Sequence, residues 1–412
     1  MREGNRWMNK LAVDGGTPVR TAGFKEWPIF DEREEKLLLE VLHSGKWGGT
    51  GGALVPDFQS KITQLEKQFA QYHDAKYALA CANGTVAITI ALQAVGVKPG
   101  DEVIVPSYTF IATASAALAF GAIPVFADIE EETLLLDPDA VERLITPKTK
   151  AIIAVHIAGA PANLKRLKEI ADRHGLKLIE DAAQAIGASF EGTKIGAIGD
   201  IGTFSFQSSK NLNAGEGGMI VTNSDEVYQA AWSYINVGRV LDGAWYQHDR
   251  IGQNYRITEF QAAILIAQMT RLEDQIRVRK QNAALLDSLL GQQEELITVK
   301  ETPGTTCHAY HLYMLRLAPE FSERVDKNDF IRKLNAEGLP FSYGYIPLNK
   351  NEAIQKSIEE WTGKPRIDSC PVSERMCEKE VLWLSQTVLL SDEEAMNDIS
   401  EGLRKVIASY SE

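Results

Sequence analysis

The chain has 412 residues, is 44% hydrophobic and carries a formal net charge of −13 at pH 7. That length supports two domains, since single cores stop growing near roughly 250–300 residues, and the acidic balance argues against a nucleic-acid partner, whose phosphates are held by clustered lysine and arginine. No apolar run approaches the roughly 18 residues of a membrane span, and residues 1–10 lack the apolar segment of a signal peptide, so the expectation is a cytoplasmic globular enzyme. Cys81, Cys307, Cys370 and Cys377 show neither the density of a disulfide scaffold nor zinc-ligand spacing. They read as reduced, mostly structural thiols, and no metal is expected.

In chain order, residues 1–52 read as an N-terminal arm of turn-rich loops, with glycine clusters at 15–16 and 48–52. Loops of this kind serve an active site or subunit contact, or are plain surface. From 53 to 258, short β-branched runs alternate with helical patterns, the signature of a mainly parallel sheet with crossover helices. Strands are predicted over 77–82, 102–106, 124–127, 151–156, 176–180, 202–206 and 218–222, and helices over 85–94, 112–119, 137–144 and 163–174. Beyond Thr258, apolar residues at three- and four-residue steps (Ala262, Leu265, Met269, Leu272) predict one long connecting helix within 259–297. Residues 298–412 read as a smaller α/β domain with a strand over 311–317, a helix over 327–336 and a final helix over 392–410.

Two residues carry chemistry. Asp181 ends an apolar strand, at the carboxyl edge where ligands of open α/β sheets collect. Lys210 sits in Phe204-Ser205-Phe206-Gln207-Ser208-Ser209-Lys210-Asn211, just before the turn Gly215-Glu216-Gly217-Gly218. Taken singly, each is an ordinary residue, a solvated lysine and a helix-capping aspartate. Together they match pyridoxal 5'-phosphate, which needs a lysine amine for its aldehyde and a carboxylate to keep its pyridine nitrogen protonated.

The neighbouring motifs extend that pair. Asn83-Gly84-Thr85-Val86 follows a strand and opens a helix, offering amide donors and a helix dipole to a phosphate. Ser205 adds a hydroxyl to the same place, unless it is only a small packing residue. Phe110 lies just past another strand end, where its ring either covers the pyridine face or packs in the core. Gln184 follows Asp181 by three residues, so a helix beginning there would put both on one face. Tyr345 and the pair Tyr310-His311 line an acceptor site or belong to the core of the small domain.

The segments GGTPVR (15–20), NGTVAI (83–88), PSYTF (106–110), VHIAG (155–159), EDAAQAIGA (180–188), FSFQSSKNLNAGEGG (204–218) and GQNYRITEFQAA (252–263) occur in order. With them the chain resembles the DegT/StrS family of sugar and aminocyclitol aminotransferases over nearly all its length. The resemblance implies the α/β type I aminotransferase fold, with a large, mainly parallel seven-stranded domain and a smaller C-terminal α/β domain. It implies a pyridoxal phosphate enzyme in which Lys210 is the covalent lysine and proton shuttle, Asp181 the pyridinium partner and Gln184 the ligand of the phenolic oxygen. Gly84, Thr85 and Ser205 then hold the phosphate and Phe110 stacks on the ring. A homodimer with shared active sites follows too, Asn254 and Arg256 coming from the second subunit.

Where many relatives read Asp-Ala-Ala-Gln-Ala-His-Gly, this chain has Ile186, which is expected to alter packing and not chemistry. Relatives that act as dehydratases replace the lysine that stands here as Lys210. A non-catalytic regulatory protein on this fold would be expected to lack Lys210, Asp181 or Gln184. The donor implied is glutamate or glutamine and the acceptor a keto-sugar or keto-cyclitol, and GGTPVR and FSFQ resemble members that act on keto-cyclitols and related carbocycles more than the nucleotide-sugar members. The alternative acceptor, a nucleotide-linked ketosugar, needs several cations at the site mouth. Lys46, Arg239 and Arg256 are the loop candidates for them.

Overall fold

The computed structural model describes residues 10–48 and 59–410. In chain order the strands are β1 (Tyr77–Cys81), β2 (Glu102–Pro106), β3 (Ile123–Ala127), β4 (Thr149–Val155), β5 (Lys177–Asp181), β6 (Ser189–Phe190), β7 (Thr193–Lys194), β8 (Ile201–Ser205), β9 (Gly218–Thr222), β10 (Leu296–Thr298), β11 (Thr305–Cys307), β12 (Leu312–Leu317) and β13 (Val381–Ser385). Seven of them make one sheet of order β1-β9-β8-β5-β4-β2-β3. From β8 to β3 the neighbours are parallel, and β9 runs antiparallel to β8 and β1. These are the seven strands expected, each end within two residues of its predicted place. Their residues are almost all buried, because crossover helices cover both faces of a parallel sheet.

Two apolar cores form. The larger surrounds this sheet; the smaller gathers Leu315, Phe330, Leu382, Leu384 and Leu403 around a second sheet, β10-β12-β13. Leu11 belongs to the smaller core, and Arg20 pairs with Asp398 at 2.7 Å, so the start of the described chain packs on the C-terminal unit. The segment from Leu348 to Cys377 returns to the larger core. There Asp128 accepts the amides of Val372 and Ser373 at 2.9 and 2.8 Å.

Two expectations change. The N-terminal region is not only turns: it contains the helix Glu32–Ser44, started by a capping box of Asp31 and Glu34. Of the glycine cluster 48–52, only Gly48 falls within the described residues. The single long connecting helix is two, Glu259–Met269 and Leu272–Leu290, broken where Thr270 Oγ1 turns back to the Ala267 carbonyl at 2.6 Å. Arg271 then leaves the helical line to grip Glu34 at 2.5 and 2.9 Å, a buried pair that ties the N-terminal helix to the break. The second helix bridges the cores, with Leu272 and Ile276 in the larger and Leu286 and Leu290 in the smaller.

The segment Glu352–Thr362 is helical and β13 is a full strand, neither of which the pattern announced. Cys81, Cys370 and Cys377 are buried free thiols and Cys307 is half-buried. Among the described residues no helix is long and apolar enough to cross a membrane, and no three His, Cys, Asp or Glu side chains are grouped to hold a metal ion.

Candidate active site

A cavity of about 750 Å³ opens at the carboxyl ends of the parallel strands, walled on its far side by β12 and β13. Asp181, Lys210, Gly84, Thr85, Phe110, Gln184 and Ser205 all line it. Asp181 is the last residue of β5. Its neighbour Glu180 points to the opposite face, where its carboxylate accepts the amides of Gly196, Ile198 and Gly199 at 2.6–2.8 Å. His156 completes that anchor: Nδ1 accepts the Ala162 amide at 3.0 Å, so the ring proton sits on Nε2 and is donated to Glu180 at 3.1 Å. These bonds anchor the strand end that carries Asp181.

The Asp181 carboxylate accepts the Thr113 hydroxyl at 2.9 Å and the Ala183 amide at 3.2 Å. It has no ion-pair partner among the described residues, and burial pushes its pKa up against those two bonds and the charge of nearby Lys210. Burial likewise pushes the Lys210 amine down to about 8, with Asp181 opposing. A buried carboxylate and a near-neutral amine therefore face one cavity.

The helix Gly84–Ala94 begins at the cavity. Asn83 caps it by accepting the Val86 amide at 2.9 Å, which leaves the amides of Gly84 and Thr85 without an acceptor inside the helix. Ser205 Oγ accepts the Gln207 amide at 3.3 Å and keeps its own proton for donation. Gly84 is required by closeness: a Cβ there would lie 2.7 Å from Ser205 Cβ and 3.1 Å from its Oγ. We expect Gly84→Ala to force these groups apart, at a cost of about 1–3 kcal/mol of stability; thermal melting checks it, and an unchanged melting temperature would show that the turn yields without cost.

Gln184 reaches the cavity by a route the sequence did not suggest. No helix begins at Asp181; residues 182–187 form turns, because the chain must fold back into β6. Gln184 is held instead by its amide, Oε1 accepting the Ala158 N–H and Nε2 donating to the Tyr345 hydroxyl, both at 2.7 Å. Phe110 is 57% exposed, a bare ring at the cavity and not a core residue. Ile186 is buried in the large core.

Asn254 and Arg256 are not in this lining. Asn254 is exposed, bridged to Asn236 beside β1, and Arg256 shares a separate hollow with Arg239. Tyr345 and His311 do line the cavity, whereas Tyr310 turns into another crevice and stacks on His308. Burial and the charges of Lys210 and Arg279 hold the His311 pKa well below its usual value. Thr113, Glu216 and Trp383 also line the cavity, and the sequence motifs do not point to them. Thr113 alone left a signal, standing four residues from Thr109 on the first turn of a helix beside a strand end, and the two hydroxyls lie 3.2 Å apart.

Residues 28–404 match the model of the DegT/DnrJ/EryC1/StrS aminotransferase family. The chain is 39% identical to an L-glutamine:2-deoxy-scyllo-inosose aminotransferase of Streptomyces kanamyceticus, over 97% of each chain. It is 35% identical to a 3-amino-5-hydroxybenzoate synthase of Amycolatopsis mediterranei, over 93% of this chain and 97% of that one. The crystal structure of a 3-amino-5-hydroxybenzoic acid synthase superposes with a TM-score of 0.85 at 33% identity, covering 95% of this chain and all of that one. NtdA from Bacillus subtilis, solved with bound cofactor PMP, superposes at 0.80 with 28% identity, covering 94% and 86%. The sheet order, the strand-edge cavity and a match over almost the whole chain agree: this protein has the aminotransferase α/β fold and belongs to the DegT/DnrJ/EryC1/StrS aminotransferase family.

Proposed function

We propose that this aminotransferase works with pyridoxal 5'-phosphate and moves an amino group from glutamine to a keto-cyclitol, a neutral polyhydroxylated ring ketone. The observation that carries the acceptor class is the charge of the lining. Among the described residues Lys210 is its one lysine and no arginine lines it, while Asp181 and Glu216 are carboxylates. A nucleoside diphosphate would need several guanidinium or ammonium groups there, whereas this chain's own wall supplies one ammonium, and the inosose aminotransferases among its relatives act on 2-deoxy-scyllo-inosose, a ring ketone without a nucleotide.

The residues present fit the cofactor. When bound, it supplies an aldehyde that holds the migrating amino group and a ring that takes up electrons. On this reading Asp181 would keep the ring nitrogen protonated, and a cation there would offset the cost of burying the carboxylate. Gln184 would offer the second amide proton of Nε2 to the phenolic oxygen. Gly84, Thr85 and Ser205 would hold the phosphate with two amides and a hydroxyl, and Phe110 would cover the ring. Lys210 would anchor the cofactor through its amine and would move a proton at Nζ, which burial already biases toward the neutral, accepting form. Tyr345 fixes Gln184, and its own hydroxyl, pushed up to about 12 by burial, stays protonated throughout.

The donor assignment is supported by the L-glutamine named for the curated relatives. It is tested by following the visible absorbance of the holoenzyme: glutamine should bleach it and 2-deoxy-scyllo-inosose should restore it. Restoration by a nucleotide-linked ketosugar, and none by the inosose, would reverse the acceptor class.

Exposure of Asn254 outside the cavity of its own chain supports its reading as a residue given to a twofold-related partner, as a closed isologous dimer permits. Mixing Lys210→Ala with Asn254→Ala should then restore activity in heterodimers, since one of the two sites holds both native groups. Proven heterodimers without recovery would confine Asn254 to its own subunit.

A further inference from the structure

Strand β13 alternates between two environments, as its period of two requires. Leu382 and Leu384 enter the smaller core, while Trp383 and Ser385 line the catalytic cavity. The Trp383 ring is braced edge to face by Tyr345, centroids 4.7 Å apart at 74°, and Tyr345 is itself held by Gln184. An indole face is thus fixed on a rigid strand at the cavity, with no acceptor for its N–H among the described residues.

Glu216 lies on the lining from the large-domain side, at the tip of the turn before β9. Its backbone carbonyl is held by Gln261 Nε2 at 2.8 Å, yet its carboxylate has no hydrogen-bond or ion-pair partner among the described residues. Two of the other polar side chains of the lining have partners: Ser209 donates to Gln207 Oε1 at 2.8 Å and Ser385 pairs with Thr387 at 2.7 Å. Asp181 and Gln184 are committed as described above. Glu216 is therefore the strong acceptor that the cavity leaves unused.

A braced aromatic face together with an unengaged carboxylate is the equipment for a polyol. The C–H face of the ring lies on the indole, and hydroxyls donate to the carboxylate in charge-assisted bonds. We infer that Glu216 and Trp383 select the acceptor, Glu216 by accepting its hydroxyls and Trp383 by carrying its apolar face. This rests on the keto-cyclitol reading above. A site that hydrogen-bonds substrate hydroxyls discriminates against an analogue lacking them, so the selection is measurable as a ratio.

Holoenzyme converted by glutamine is mixed with 2-deoxy-scyllo-inosose or with cyclohexanone, the ring ketone stripped of hydroxyls, and return of the visible absorbance gives kcat/KM for each. In Glu216→Ala the preference for the inosose should fall roughly tenfold or more, the loss expected for a charge-assisted bond, whereas Trp383→Leu, which removes a face that both ring ketones use, should lower kcat/KM for both and leave their ratio nearly unchanged. Glu216 is exposed, so its loss leaves the core intact, and Glu216→Gln, whose amide oxygen still accepts, should recover part of the preference. Calorimetric titration with scyllo-inositol, an unreactive polyol, should show the same order of affinities. An unchanged preference in Glu216→Ala together with unchanged polyol affinity in both truncated variants would overturn the assignment, leaving these side chains as mere walls. A wild-type enzyme that answers a nucleotide-linked ketosugar and ignores the inosose would instead overturn the acceptor class itself, before any variant is made.

Discussion

Replacing Lys210 by alanine is expected to abolish turnover while the protein stays folded. The loss should exceed about 10²–10⁴-fold, the usual worth of a positioned acid–base group, because the same side chain also anchors the cofactor. The visible absorbance of the holoenzyme should vanish with it. Stability gives an independent reading through linkage. The Lys210 pKa is lowered from 10.5 unfolded to about 8 in the cofactor-free fold, so the unfolded chain binds more protons across that window. Stability thus rises with pH between about 8 and 10.5, and below about 8 the full cost of charging a buried amine is present. Alanine removes that cost. Cofactor-free Lys210→Ala should melt no lower than wild type at pH 7, with a flatter rise toward pH 10. Retained transamination would sink the assignment, and a markedly lower melting temperature would mean that Lys210 is a structural contact.

Asp181→Asn should keep the fold and some cofactor but lose about 10²–10³-fold in kcat, the range for a preorganised electrostatic group. Asparagine has the same shape and no charge, so it cannot keep a pyridine nitrogen protonated. It also fits its surroundings poorly: the carboxylate takes donors on both oxygens, from Thr113 and Ala183, while an amide can accept on only one. Thr113 can rotate its hydroxyl to adapt, so the variant is expected to fold. Asp181→Ala should lose at least as much. The check is kcat together with the absorbance spectrum, and an asparagine variant with more than about a tenth of wild-type kcat would place the electron sink elsewhere, given that an isosteric loss of charge should cost far more than that.

How much of this was legible beforehand follows from which forces act locally. Short, nearly continuous apolar runs between turn residues marked the seven strands of the sheet, because a strand buried on both faces is apolar at consecutive positions. Lys210, Asp181, Gly84, Thr85, Phe110 and Ser205 were readable since each stands next to a strand end or a glycine turn, and in an α/β sheet those ends share one edge. The capping box of Asp31 and Glu34 is equally local, a helix start within a region otherwise rich in turn residues. The helix break at Thr270–Arg271 was not local: Arg271 leaves the helix for Glu34, which is far away in sequence. Gln184 arrived on a turn and not a helix, since its amide is satisfied by Ala158 and Tyr345 and only the assembled fold brings those groups to it. Tyr345 and His311 could be separated from Tyr310 only once β12 and its neighbours were in place. The same holds for Trp383 and Glu216, a strand residue and a turn residue 167 positions apart whose meeting across one cavity depends on how the C-terminal unit sits on the sheet. The sequence by itself determined the sheet and the residues at its edge, because short-range periodicity and turn chemistry encode them. The tertiary structure alone decided the wall that faces that edge, because long-range packing of a second core set its position.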